Sequence, residues 1–148
     1  MKRFFILALL LTAVLVPASS AYAAQPLEVA GWIPYWKIAS GTAEVSAHLS
    51  TFKEVNPFGY TVRADGTIAD TAKLSQEPWL SLQKAAQAKK IRYIPTLMWS
   101  DGEAIHKILS NDTSRRALAQ RIADLVKEKG YDGIDIDFEG KKAETKQY

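Results

Sequence analysis

The stretch Asp132-Gly133-Ile134-Asp135-Ile136-Asp137-Phe138-Glu139 lies near the end of a 148-residue chain and decides how the rest is read. Run out as a strand, it places Gly133, Asp135, Asp137 and Glu139 on one face and Ile134, Ile136 and Phe138 on the other. Neighbouring acids of the row stand roughly 6.6 Å apart, two strand rises, and like charges that close resist simultaneous ionisation. The apolar residues between them need cover on their own side, so the strand belongs inside a sheet rather than at a solvated edge. A calcium loop is the other use of such spacing, because Asp135-x-Asp137-x-Glu139-Gly140 imitates the start of an EF-hand. Its twelfth position is Lys146 rather than glutamate, and no metal is expected.

Upstream, three further strands are separated by segments long enough for helices. Leu27 to Trp36 (LEVAGWIPYW) is apolar nearly throughout, the composition of a strand covered on both faces. Gly41 and Thr42 interrupt it, and Thr42 is placed to cap a short helix to about Thr51. Glu54 to Val62 (EVNPFGYTV) predicts the second strand, with Pro57 removing a ladder donor and suggesting a bulge. Asp65-Gly66, within Arg63 to Ile68, predicts a tight hairpin beyond it. Pro78 opens a helix to about Lys90, and Ile91 to Trp99 (IRYIPTLMW) predicts the third strand. A short helix over Glu103 to Leu109 follows. A longer one runs from caps at Asn111-Asp112-Thr113 to Lys129 and stops at Gly130.

Alternating strands and helices argue for an α/β protein with right-handed parallel crossovers. In such folds the carboxyl ends of the strands carry the chemistry. Glu139 falls at one such end. Tyr35 and Trp36, Phe58 and Tyr60, and Trp99 fall at the others. Tyr35, Tyr60 and Trp99 are the candidates for stacking on a ligand, with core packing the alternative for Trp99. Trp32 and Trp79 are expected in the core or at a half-buried rim.

The chain opens with Lys2 and Arg3, an apolar run from Phe4 to Val16, and Ala21-Tyr22-Ala23, the small-x-small form of a signal-peptidase site. A leader over residues 1–23 is expected, followed by one domain over 24–148, and the apolar run is shorter than the about 20 residues a spanning helix needs. The mature protein is expected outside the cell or in its envelope, with no membrane partner after cleavage. Taking Lys2 and Arg3 from the 19 basic residues leaves 17 against 16 acidic, a net of +1. Basic side chains are spread rather than clustered, so no nucleic-acid partner is expected. The chain has no cysteine, which excludes disulfides, thiol catalysis and thiolate metal sites. His48 and His106 fall in separate segments, are expected at the surface, and offer neither a histidine metal site nor a Ser-His-Asp triad.

DGIDIDFE resembles the fourth-strand signature of glycoside hydrolase family 18, Asp-Gly-x-Asp-x-Asp-x-Glu, at every specified position. The order of elements ahead of it agrees, and GWIPYW over residues 31–36 is similar to the family's opening strand. The resemblance implies a (β/α)8 TIM barrel of which about the first four β/α units are present. It also implies an exported glycosidase without a cofactor, acting on β-linked polysaccharide containing N-acetylglucosamine, of peptidoglycan or chitin type. By the same resemblance Glu139 matches the proton donor, Asp137 the residue that orients and polarises the substrate's acetamido group, and Asp135 its supporting partner. Substrate-assisted members use the acetamido oxygen as nucleophile and need one protein acid. Gly133 is expected to leave room in the barrel interior below the carboxylates.

Two departures bear on that reading. Pro95-Thr96-Leu97-Met98-Trp99 stands where the family's chitinases often carry Ser-x-Gly-Gly, which turns the expectation toward branches resembling spore-cortex or peptidoglycan N-acetylglucosaminidases. A closed barrel takes about 250 residues, so a partial sequence is expected, one that would expose two parallel strand edges and its acidic inner face. The competing readings are a non-catalytic saccharide-binding protein on the same scaffold, which the retained Glu139 counts against, and an inactive fragment.

Overall fold

A computed structural model describes residues 27–148, so the expected leader lies outside the described residues. In chain order the elements are β1 (Ala30–Ile33), α1 (Ile38–Ala47), β2 (Glu54–Val62), β3 (Ile68–Asp70), α2 (Trp79–Ala88), β4 (Arg92–Tyr93), β5 (Thr96–Trp99), α3 (Gly102–Leu109), α4 (Asp112–Lys129) and β6 (Asp135–Phe138). The sheet runs β1, β2, then β4 and β5 end to end, then β6, and every one of these pairings is parallel. This curled parallel sheet is half of a barrel, as the sequence predicts.

The third predicted strand is split because Pro95 carries no N–H for the ladder. Asn56 spans the gap, its Nδ2 donating to the Ile94 carbonyl at 3.0 Å, and the Pro95 carbonyl accepts from Asp135 N at 2.9 Å. The predicted hairpin forms: β3 returns antiparallel to β2, with Val62 opposite Ile68, and occupies the edge of β2 that β1 leaves free after Pro57. Asp65 shapes its turn by accepting from Thr67 N at 2.9 Å.

Two expectations at the start of the chain fail. The first strand is four residues rather than ten, because the chain turns at Pro34 into a 3-10 turn over Tyr35–Lys37. It is covered on one face only, with Ile33 buried and Trp32 61% exposed. Thr42 caps nothing. It lies inside α1, and its hydroxyl donates back to the Ile38 carbonyl at 2.7 Å, satisfying itself within the preceding turn.

The core lies between the outer face of the sheet and the helices. Trp79, Leu82 and Ala86 of α2, Ala104, Ile105 and Ile108 of α3, and Leu118 of α4 pack in one cluster with Ile33, Val55, Val62, Leu97 and Trp99 of the strands. Asn111 caps α4 by accepting from Ser114 N at 2.9 Å, and Gly130 ends it in the left-handed region. Ile134, just before β6, and Phe138 within it pack against this cluster, but Ile136 stays 47% exposed. Among the described residues no helix is long and apolar enough to cross a membrane.

Candidate active site

Strand parity decides which side chains reach the concave face. In register, Thr96 stands beside Asp135 and Met98 beside Asp137, so the inward set runs across the sheet from Trp32 through Asn56 and Phe58 to Thr96, Met98, Asp135 and Asp137. Asp135 is anchored there by two donors on one oxygen. Trp32 Nε1 and Thr96 Oγ1 each lie 2.9 Å from its Oδ2. Thr96 stands on the adjacent strand β5, whereas Trp32 reaches across the concave face from β1 at the opposite edge of the sheet. Glu139 follows the last residue of β6 and is exposed at the carboxyl end of the sheet, its backbone N–H donating to the Trp99 carbonyl at 2.8 Å.

Aromatic rings line the approach to Asp135. Tyr35 lies near-parallel to Phe58, with centroids 6.2 Å apart at 21°, and Trp36 stands edge-on to Tyr35 at 4.9 Å. Trp32 meets Phe58 edge-on at 6.2 Å. Tyr35 is 49% and Trp36 65% exposed, so both rings are open to solvent. The expectation for Trp32, core or half-buried rim, is wrong, and the residue belongs to the concave face. An indole whose apolar neighbours on the strand alternate with it was the available signal, since Ile33 and Trp32 cannot both face the helices.

Tyr60 and Trp99 are not at the mouth; each is only 3% exposed. The β2–β5 register shifts between Phe58 and Tyr60, two residues of β2 matching one step of β5, and this bulge turns Tyr60 away from the face that Phe58 occupies. Tyr60 instead shares a hydrogen bond with Tyr131, hydroxyl to hydroxyl at 2.8 Å, beside Tyr93. Burial first, and then the bond to Tyr131, holds its phenol well above the ordinary tyrosine range. Trp99 shares its parity with Leu97, not with Thr96, and packs edge-on against Phe138 at 5.5 Å in the core.

The remaining members of the acidic stretch have other duties. Asp132 Oδ2 accepts from Tyr93 N at 2.8 Å, and Asp132 N donates to Tyr93 O at 3.2 Å, a reciprocal pair that sets the start of β6 against β4. The steric reason expected for Gly133 is not found, for a Cβ there would meet Ile94 at 3.6 Å, an ordinary contact. His106 is not simply a surface residue: its Nδ1 is 2.9 Å from Thr145 Oγ1. Among the described residues no group of three or more His, Asp or Glu side chains is arranged to hold a metal ion.

The half-barrel carries its acidic stripe toward the carboxyl ends of its parallel strands, the side on which (β/α)8 folds place their chemistry. The chain belongs to glycosyl hydrolases family 18, whose model matches residues 32–148. No match appears among curated protein sequences. Among solved structures, a chitinase from Bacteroides thetaiotaomicron is 21% identical with a TM-score of 0.67, covering 78% of this chain and 37% of its own. A class V chitinase from Pseudomonas fluorescens Pf-5 is 18% identical with a TM-score of 0.72, over 81% of this chain and 37% of its own. The spore cortex-lytic enzyme SleL of Bacillus cereus is 16% identical with a TM-score of 0.63, over 81% and 29%. These likenesses establish the shared fold, and the chain spans about a third of the length of the structures it matches.

Proposed function

We propose that the protein is an exported glycosidase that hydrolyses β-linked polysaccharide containing N-acetylglucosamine by substrate-assisted acid catalysis. The observation that carries this reading is Asp135, anchored by Trp32 and Thr96 on the concave face one step of the stripe before Asp137 and two before Glu139. In this reading Glu139 delivers a proton to the glycosidic oxygen as the bond to the anomeric carbon breaks. The acetamido oxygen closes on that carbon from the other face, and water later opens the intermediate. Asp137 holds the acetamido group in the attacking orientation, and Asp135 keeps Asp137 in place. The open rings of Tyr35 and Trp36 offer apolar faces for sugar stacking. The leader-like residues 1–23 support export to the cell envelope or beyond.

Peptidoglycan is favoured over chitin because Pro95-Thr96-Leu97-Met98-Trp99 replaces the Ser-x-Gly-Gly of many chitinases. The test is turnover by the full-length protein and its Glu139→Gln form on peptidoglycan and on chitooligosaccharides. Loss of turnover by about a thousandfold or more in Glu139→Gln supports the assignment. Equal turnover by both forms refutes it. Binding of N-acetylglucosamine oligomers with no product from the unsubstituted protein would establish instead a saccharide-binding protein, a reading that the exposed aromatic rings favour.

A further inference from the structure

The chain leaves β6 through a junction held by two glycines. Glu139 makes the last ladder bond, from its N–H to the Trp99 carbonyl at 2.8 Å. Gly140 follows in the left-handed region at φ 64°, and a Cβ on it would lie 3.2 Å from the Ser100 carbonyl oxygen. Opposite stands Gly102, the first residue of α3. A Cβ at Gly102 would overlap the Gly140 carbonyl oxygen, a backbone atom that cannot swing aside as the tip of a side chain can. Gly102 is itself held, because Asp101 caps α3 by accepting from Ala104 N at 3.1 Å.

The segment after Gly140 is tied to the same helix. Lys142 pairs with Glu103, and the buried Thr145 meets His106 Nδ1 at 2.9 Å. α3 therefore sets both where the segment after Glu139 begins and where it rests. By contrast, Gly133, at the other end of the stripe, has ordinary room around it.

We propose that Gly102 is a positioning residue for Glu139, acting through Gly140: the bare α-carbon at 102 lets the Gly140 carbonyl sit against α3 and so fixes the direction in which the Glu139 carboxyl leaves the strand. The inference rests on the reading of Glu139 as proton donor for its catalytic consequence, but not for its structural one. A misplacement of the order of 1 Å costs an acid about a hundredfold in rate.

Two measurements test it. In the full chain, Gly102→Ala is expected to speed amide hydrogen exchange at Glu139 at least about tenfold while exchange at Leu97 in β5 stays as it was, and Gly133→Ala is expected to change neither. Exchange at Glu139 that is unchanged, or that rises only in step with Leu97, overturns the proposal. In the full-length protein Gly102→Ala is expected to lower kcat about a hundredfold with KM unchanged. A normal kcat, or a rise in KM alone, overturns it. Should Gly102→Ala fail to fold, Gly140→Ala strains the same junction from the other side and replaces it in both measurements. Turnover surviving Glu139→Gln sinks the donor reading, and the exchange result then still decides whether Gly102 positions Glu139.

Discussion

The indole of Trp32 in β1 donates to the carboxylate of Asp135 in β6, Nε1 to Oδ2 at 2.9 Å, joining residues 103 positions apart across the concave face. Thr96 brings its hydroxyl to the same oxygen at the same distance. An indole N–H can only donate, so this oxygen is addressed as an acceptor. Trp32→Phe keeps the ring against Phe58 and removes the donor, and Thr96→Val keeps the shape and removes the hydroxyl. Each is expected to lower kcat/KM of the full-length protein on N-acetylglucosamine oligomers about tenfold to a hundredfold, the range for a hydrogen bond to a charged group. Because both donors serve one oxygen, the double variant is expected to lose less than the product of the two. Substitutions that lower the melting temperature and leave turnover intact would show that Asp135 is held for the fold rather than for the chemistry.

The three buried tyrosines differ in what their hydroxyls do. Tyr60 and Tyr131 satisfy one another at 2.8 Å, whereas the Tyr93 hydroxyl is buried without a hydrogen-bond partner among the described residues. An unpartnered buried hydroxyl costs about 1 to 3 kcal/mol. Tyr93→Phe is therefore expected to raise stability by about 1 kcal/mol, read from urea unfolding, while Tyr60→Phe lowers it by about 1 to 2 kcal/mol by orphaning Tyr131. A destabilising Tyr93→Phe would contradict the assignment.

Several local signals match the structure residue for residue. The second strand spans Glu54–Val62 as predicted, the Asp65-Gly66 turn closes its hairpin, and the α4 cap at Asn111 and stop at Gly130 are as expected. Some of the failures come from information that no local pattern holds. Period-two reading puts Phe58 and Tyr60 on one face, but the bulge between them is set by pairing with β5, and it sends Tyr60 into the core. Trp99 could have been placed correctly, since it shares parity with Leu97 rather than with Thr96. The hydrogen bond from Trp32 was out of reach, because it depends on how strongly the sheet curls to bring β1 toward β6. The position of the acidic stripe was legible, and the parts that hold it were not.

Asp132 offers a test of how the stripe divides its labour. Its carboxylate accepts from Tyr93 N while its own N–H returns a bond to Tyr93 O, so it fixes the register at which β6 enters the sheet. Asp132→Ala leaves that amide without its acceptor and is expected to cost about 1 to 3 kcal/mol in denaturant unfolding. Asp132→Asn retains an acceptor oxygen and is expected to recover most of the loss. If Asn were as damaging as Ala, the charge rather than the register bond would be what the position supplies.

The same tyrosine cluster makes the fold vulnerable to alkali, and the direction follows from proton counting. Burial raises the pKa of Tyr60, Tyr93 and Tyr131 above the ordinary value, outweighing for Tyr131 the lowering caused by its bond from Tyr60. Below about pH 10 the phenols are protonated whether the chain is folded or not, and they impose no pH dependence. Above it the unfolded chain releases protons that the folded chain retains, so stability falls as pH rises, by about 1.4 kcal/mol per pH unit for each tyrosine. Three such groups give a slope of up to about 4 kcal/mol per unit, enough to exhaust the stability of a small domain within a few units. Chemical unfolding followed from pH 8 to pH 12 is expected to be flat up to about pH 10 and steep beyond it. Tyr93→Phe removes one of the three groups, so its slope is expected to be about a third shallower. A variant slope equal to that of the unsubstituted protein would mean that Tyr93 ionises freely in the fold and is not sealed beneath the helices.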